Sequence, residues 1–127
     1  PVFFGSGINN FGVQLLLDTT TGEPEAGIAL AGRLAERGVR YLDAPISGSS
    51  EQTRRGEATV MVGGAIEDYA ACGDLWPILG RAVFHVGPNG AAARMKLVSN
   101  LVLGLNRAAL AEGLAYARAI DVDPRAA

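Results

Sequence analysis

Cysteine, histidine, tryptophan and lysine each occur once in these 127 residues, and aromatic side chains make up only 6% of them. A single cysteine, Cys72, cannot close an internal disulfide, which suits a reducing, cytoplasmic compartment. One cysteine and one histidine are too few for a structural zinc site. There is no surplus of either charge: eleven basic and thirteen acidic residues are interspersed, for a net charge of −2. A nucleic-acid surface would need a basic patch, and none is present. No stretch is long and apolar enough to span a bilayer, and no charged-then-apolar leader opens the chain. An initiator methionine is also missing, and Pro1-Val2-Phe3-Phe4 reads as the interior of something longer, so a fragment is expected.

What is present is apolar (49%) and rich in glycine, with seventeen residues. Residues 5–12, GSGINNFG, read as a loop leading into a strand. They do not fit a dinucleotide-binding turn, which would open a helix. Val13 to Leu17 is an apolar run that reads as a buried strand ending at Asp18. Pro24 is placed for a first helical turn, and the apolar spacing predicts a helix over 24–37 with Gly38 as its stop. Val39 to Leu42 reads as the next strand, followed by Asp43-Ala44-Pro45-Ile46-Ser47-Gly48-Ser49-Ser50. A polar segment, Glu51 to Glu57, leads to a strand at Ala58 to Val62 closed by Gly63-Gly64. A helix over 65–76 is expected to stop at Pro77, before a last strand from Ala82 to Val86. This alternation predicts an α/β layer fold.

Residues 87–100, GPNGAAARMKLVSN, place the only lysine, Lys96, four residues before Asn100. On a helix that spacing puts both side chains on one face, one turn apart. The helix is expected from about Ala91 to Ile120, roughly 45 Å long. One stripe carries Leu97, Val98, Leu101, Val102 and Leu105, while the opposite one carries Lys96, Asn100, Leu103, Leu110 and Leu114. A helix apolar on both sides has to be covered on both sides, which calls for further chain or a second subunit.

Asp43-Ala44-Pro45-Ile46-Ser47-Gly48, then Met61-Val62-Gly63-Gly64, His85-Val86-Gly87 and Lys96-Leu97-Val98-Ser99-Asn100, form a specific combination. It resembles the β-hydroxyacid dehydrogenase family, which includes 3-hydroxyisobutyrate dehydrogenase, tartronate semialdehyde reductase and relatives of 6-phosphogluconate dehydrogenase. The resemblance spans about residues 13–124. It implies the C-terminal half of a Rossmann-type nucleotide-binding domain followed by a long interdomain α-helix. Residues 1–88 would be a partial NAD(P)-binding domain without its G-x-G-x-x-G half, and residues 89–127 the start of a truncated all-α domain.

The resemblance also implies roles. Lys96 matches the catalytic lysine and Asn100 the polar residue that orients substrate or lysine. Ser47 and Gly48, with Ser49 beside them, match the loop that holds the substrate carboxylate, and Thr21 matches a contact to the cofactor, NAD or NADP. The activity implied is hydride transfer between that cofactor and a small β-hydroxy acid or its semialdehyde, in a homo-oligomer formed through the long helix. The alternative is a non-catalytic dimerising or ligand-binding fragment of such a fold. The chain departs from the family pattern at Ser49, which replaces the second of two glycines, at Ala92 and at Ser99.

The chemistry accounts for these residue types independently. Taking hydride from a β-hydroxy acid leaves a proton to be removed from the hydroxyl. An ammonium group beside the developing carbonyl can handle that proton and stabilise partial negative charge. Thr21 is equally placed to cap the helix after it. Arg54 and Arg55 could clamp an anion, but a solvated charge pair is the favoured reading. His85 reads as structural and Cys72 as packing.

Overall fold

A computed structural model describes residues 14–126. The GSGINNFG segment and Val13 lie outside those residues. The chain divides into two compact units, with the boundary between Lys96 and Leu97.

In the first unit, β1 (Leu15–Asp18) is followed by α1 (Pro24–Ala35) and β2 (Arg40–Asp43). Pro24 occupies the first turn of α1, where its missing N–H costs nothing, and Glu25 adds favourable charge there. The helix stops two residues earlier than the sequence suggests. Gly38, at φ +71°, allows the Gly38 N–H to reach Ala35 O and the Val39 N–H to reach Leu34 O. The chain then enters β2 parallel to β1, with Leu16 opposite Tyr41 and Asp18 opposite Asp43. This is one β-α-β unit.

The second unit of the same kind consists of β4 (Thr59–Gly63), the short helices α3 (Ile66–Ala71) and α4 (Trp76–Leu79), and β5 (Ala82–Gly87), with β5 parallel to β4. A single helix to residue 76 was expected here, with Pro77 ending it. Instead the helix breaks after Ala71 and Pro77 lies in the first turn of α4. A residue without an N–H begins a helix as readily as it ends one.

Two elements between these units, β3 (Ile46–Ser47) and α2 (Ser50–Arg54), are absent from the expected series. β2 pairs antiparallel with β4 at Gly63, and β3 does so at Thr59 and Val60, while β5 takes up the other edge of β4. β2 and β3 therefore run end to end along one edge, interrupted at Ala44-Pro45. Strand order is β1-β2-β4-β3, with β5 beyond β4, so the expected α/β class holds with an antiparallel junction at the centre.

Leu42, Ala44, Val60, Val62, Cys72 and Trp76 form the buried cluster, with Leu15, Leu17, Tyr69 and Val83 packed against it. Three of the six, Leu42, Val60 and Val62, are strand residues from the middle of the sheet, where both faces are covered. Trp76 donates its indole N–H to Tyr69 O at 2.9 Å, and its ring stacks on Tyr69 at 5.2 Å. Cys72 is part of this packing, and burial, with Asp68 adding to it, pushes its thiol pKa up.

α5 (Ala91–Ala119) is a 29-residue helix that begins in the first unit and continues through the second. In the second unit it ends in a turn with Asp121 at φ +56° and the Val122 N–H bonded to Ala117 O at 2.9 Å. Leu97, Val98, Leu101, Val102 and Leu105 from one stripe are exposed, as are Leu103 and Leu110 from the other. No helix among the described residues is long and apolar enough to cross a membrane.

Candidate functional site

The carboxyl ends of β1 and β2 are Asp18 and Asp43, neighbours in register. Parallel strands splay their connections apart at this end, which is where α/β sheets form their ligand crevices. A cleft of about 290 Å³ lies here, lined by Asp18, Thr20, Gly22, Tyr41, Asp43 and Pro45 together with residues of α1 and the start of α5. That is near the lower end of small-molecule pockets, roughly 300–1,000 Å³.

The cleft wall is fixed by hydrogen bonds. Tyr41 donates its hydroxyl to Asp18 Oδ2 at 2.9 Å, and Thr20 donates its N–H to Asp18 Oδ1 at 2.9 Å. Burial would push the Asp18 carboxyl up, but the bonds from Thr20 and from Tyr41 outweigh it and hold its pKa below the ordinary value. The Tyr41 phenol is pushed upward by burial first, then by its bond to Asp18 and by the charges of Asp18 and Asp43. The β1–α1 loop carrying Thr21 is thereby tethered at its base to β2.

Thr21 is exposed and lies between two residues that line the cleft. It does not cap α1, whose N-cap is Glu23 without a side-chain bond. Lys96 is buried, at 9% exposure, and its Nζ donates to Ile46 O at 2.6 Å. Burial of a lysine in α5 against β3 thus sets the ammonium beside the peptide that leads into Ser47. Ser47 pairs with Thr59 in the sheet, and a side chain at Gly48 would begin 3.3 Å from the Ala58 methyl. The structure therefore brings Lys96 to the segment containing Ser47 and Gly48, while Asn100 follows one turn later as an exposed residue. Lys96, Ser47 and Gly48 are not among the cleft-lining residues; Pro45 is, and Ile46 next to it carries the lysine contact.

Ser49 has a structural use. Its hydroxyl accepts from Gln52 N at 3.2 Å, and its N–H donates to Gln52 Oε1 at 2.8 Å, a reciprocal cap on α2. The S-x-x-Q spacing was the available signal for this helix. Arg54 and Arg55 both pair with Glu51 on exposed surface, as a solvated charge cluster would. His85 Nε2 lies 2.8 Å from Gly64 O and its ring 5.3 Å from Tyr69, a structural placement. Ala92 is fully buried, so its methyl faces protein.

The residue that sequence reasoning passed over is Asp43. Its two carboxylate oxygens accept from Gly90 N at 2.9 Å and from Ala93 N at 3.2 Å, the start of α5. Asn89 adds a bond from its side-chain amide to Tyr41 O at 2.9 Å, and Arg94 pairs with Glu25 of α1 at 3.3 Å.

Residues 10–87 match the family described as the NAD binding domain of 6-phosphogluconate dehydrogenase. The chain is 36% identical over 113 residues to 3-hydroxyisobutyrate dehydrogenase of Pseudomonas aeruginosa, covering 89% of this chain and 38% of that protein. It is 35% identical over 100 residues to 2-(hydroxymethyl)glutarate dehydrogenase of Eubacterium barkeri, covering 79% of this chain and 33% of that one. A solved oxidoreductase from Mycobacterium avium superposes with a TM-score of 0.85 at 29% identity, over 94% of this chain and 44% of its own. The chain spans about a third of the length of these curated relatives.

Proposed function

Because this chain belongs to the family of the NAD binding domain of 6-phosphogluconate dehydrogenase, we propose that the intact protein is an NAD(P)-dependent oxidoreductase acting on a small β-hydroxy acid or its semialdehyde. The observation that carries this reading is the buried Lys96 with its Nζ 2.6 Å from Ile46 O, one residue before Ser47. The lysine thus stands beside the segment that leads into the Ser47–Gly48 turn, where the substrate carboxylate is proposed to bind. The names of the relatives support the substrate class, since 3-hydroxyisobutyrate and 2-(hydroxymethyl)glutarate each carry a hydroxymethyl group next to a carboxylate-bearing carbon.

The cleft at the ends of β1 and β2 suits the nicotinamide end of the cofactor, NAD or NADP, with Thr21 and its neighbours Thr20 and Gly22 along one side. When bound, the cofactor supplies or accepts the hydride. Lys96 Nζ takes the hydroxyl proton during oxidation and returns it during reduction, and its positive form stabilises charge on the carbonyl oxygen. Ser47 and the backbone around Gly48 and Ser49 bind the substrate carboxylate. Asn100 orients the substrate one turn along the helix. Residues 1–88 act as part of the cofactor domain, and residues 89–127 begin a helical one. The exposed apolar stripes of α5 are covered in a homo-oligomer. A cytoplasmic, reducing setting belongs to the same reading, supported by the lone buried thiol of Cys72.

Lys96→Ala in the intact protein is the test. Turnover should be abolished while NADH binding, followed by fluorescence titration, stays close to that of the parent. Retained turnover would sink the mechanism. The exposed leucines of α5 favour one other reading, a non-catalytic module that associates through its helix. Titration of the 127-residue chain with NADH and NADPH separates them: tight binding by this chain alone, without the remainder of the intact protein, would favour the module.

A further inference from the structure

Helix α5 begins with Gly90-Ala91-Ala92-Ala93, a sequence with no acid in its first turn. The Ala91 N–H reaches Pro88 O locally at 2.9 Å, but the turn supplies no acidic side chain for the amides of Gly90 and Ala93. The acceptor comes from β2, 47 residues earlier: one oxygen of Asp43 takes the N-cap amide of Gly90 and the other takes the amide of Ala93. A capping box satisfies the same two positions with two side chains from within the helix, whereas here a single buried carboxylate, 5% exposed, spans both.

Room for that carboxylate is made by Gly63. A Cβ at this position would lie 2.6 Å and 2.9 Å from the two Asp43 oxygens and 2.9 Å from Pro88 O. Asp43 and Gly63 are also the pair that joins β2 to β4. Three residues after Asp43, Ile46 O receives the Lys96 ammonium. One short segment therefore holds α5 twice, at its first amides and at Lys96, six residues beyond Gly90.

We propose that Asp43 is a positioning residue for Lys96: by capping α5 from within the sheet it fixes the rotation and height of the helix, and so the place of the lysine ammonium. The proposal rests on the reading of Lys96 given above for its catalytic consequence, but the placement of Lys96 is measurable without turnover.

The experiment uses the intact protein and Asp43→Asn, which keeps the size of the side chain but can accept at only one of its two positions. Reactivity of Lys96 toward limiting acetic anhydride, read by peptide mass spectrometry, reports how well its amine is held. Loss of a cap bond should raise labelling of Lys96 about tenfold. The kcat should fall by a similar factor with the KM for the cofactor unchanged. In a Lys96→Ala background, Asp43→Asn should lower the residual rate no further. Unchanged labelling of Lys96 in a folded Asp43→Asn protein overturns the proposal, as does raised labelling with unchanged kcat or a multiplicative loss in the double variant. If Lys96→Ala itself retains turnover, the catalytic reading fails, and the labelling result alone decides whether Asp43 positions the lysine. Should Asp43→Asn not fold, Asp43→Ser, which keeps one capping oxygen, is read by the same labelling and rate measurements, with a smaller rise expected and no change counting against the proposal.

Discussion

The Tyr41 hydroxyl and Asp18 Oδ2, 2.9 Å apart, tie β2 to the end of β1 in the wall of the cleft. Since the bond is to a carboxylate, Tyr41→Phe should cost about 1.5–3 kcal/mol near neutral pH. The pH dependence has a sign at each end. Asp18 is held below its ordinary value, so its contribution is full above the usual carboxylate range and is lost as pH falls through and below it. Tyr41 is held above its ordinary value, so its contribution is full below about pH 10 and is lost as pH rises beyond that. Urea unfolding across pH should find the gap between parent and variant widest in the middle and narrowing at both extremes.

Gly64 sits at φ +139°, and a Cβ there would overlap the Leu42 Cδ2 methyl and lie 3.0 Å from Tyr41 O. Gly64→Ala combines overpacking of a fully buried leucine with a backbone angle that alanine disfavours. A loss of roughly 2–4 kcal/mol is expected. Gly22→Ala is the control, because its Cβ would meet nothing within 4 Å. Its midpoint in urea should stay close to that of the parent.

Ser47 and Ser49 are two residues apart and should respond differently. Ser47→Ala removes a hydroxyl proposed to meet a carboxylate, so the KM for the hydroxy acid should rise about tenfold or more with kcat largely kept. Ser49→Ala removes the cap of α2 and should cost about 1 kcal/mol in denaturant unfolding. A tenfold KM effect confined to Ser49→Ala would reverse these roles.

Leu101 and Leu105 lie one turn apart and are each more than 60% exposed on α5. If that stripe is a contact between subunits, Leu101→Glu with Leu105→Glu should lower the mass measured by light scattering to that of a monomer. An unchanged mass would place the subunit contact elsewhere.

What the sequence made legible followed from local pattern. Six of the seven expected elements are present within one or two residues of their expected ends, because apolar runs, Pro24 and Gly38 act on their immediate neighbours. The junction of the two β-α-β units was not legible, since Ile46 and Ser47 become a strand only by pairing with Val60 and Thr59. Helix α2 was readable from Ser49 and Gln52 but was hidden by its polarity. Lys96 stood out as the only lysine, but its burial comes from a contact with Ile46, 50 residues earlier, that no local pattern shows. Asp43 did not stand out, because its partners are 47 and 50 residues away and no periodicity connects them.

The cap supplied by Asp43 also makes the start of α5 a reporter of the sheet. The amides of Gly90 and Ala93 are held by a residue that itself pairs with Gly63 of β4, so the helix start and the β2–β4 junction share one carboxylate. Lys96, bonded to Ile46 three residues beyond Asp43, belongs to the same joint.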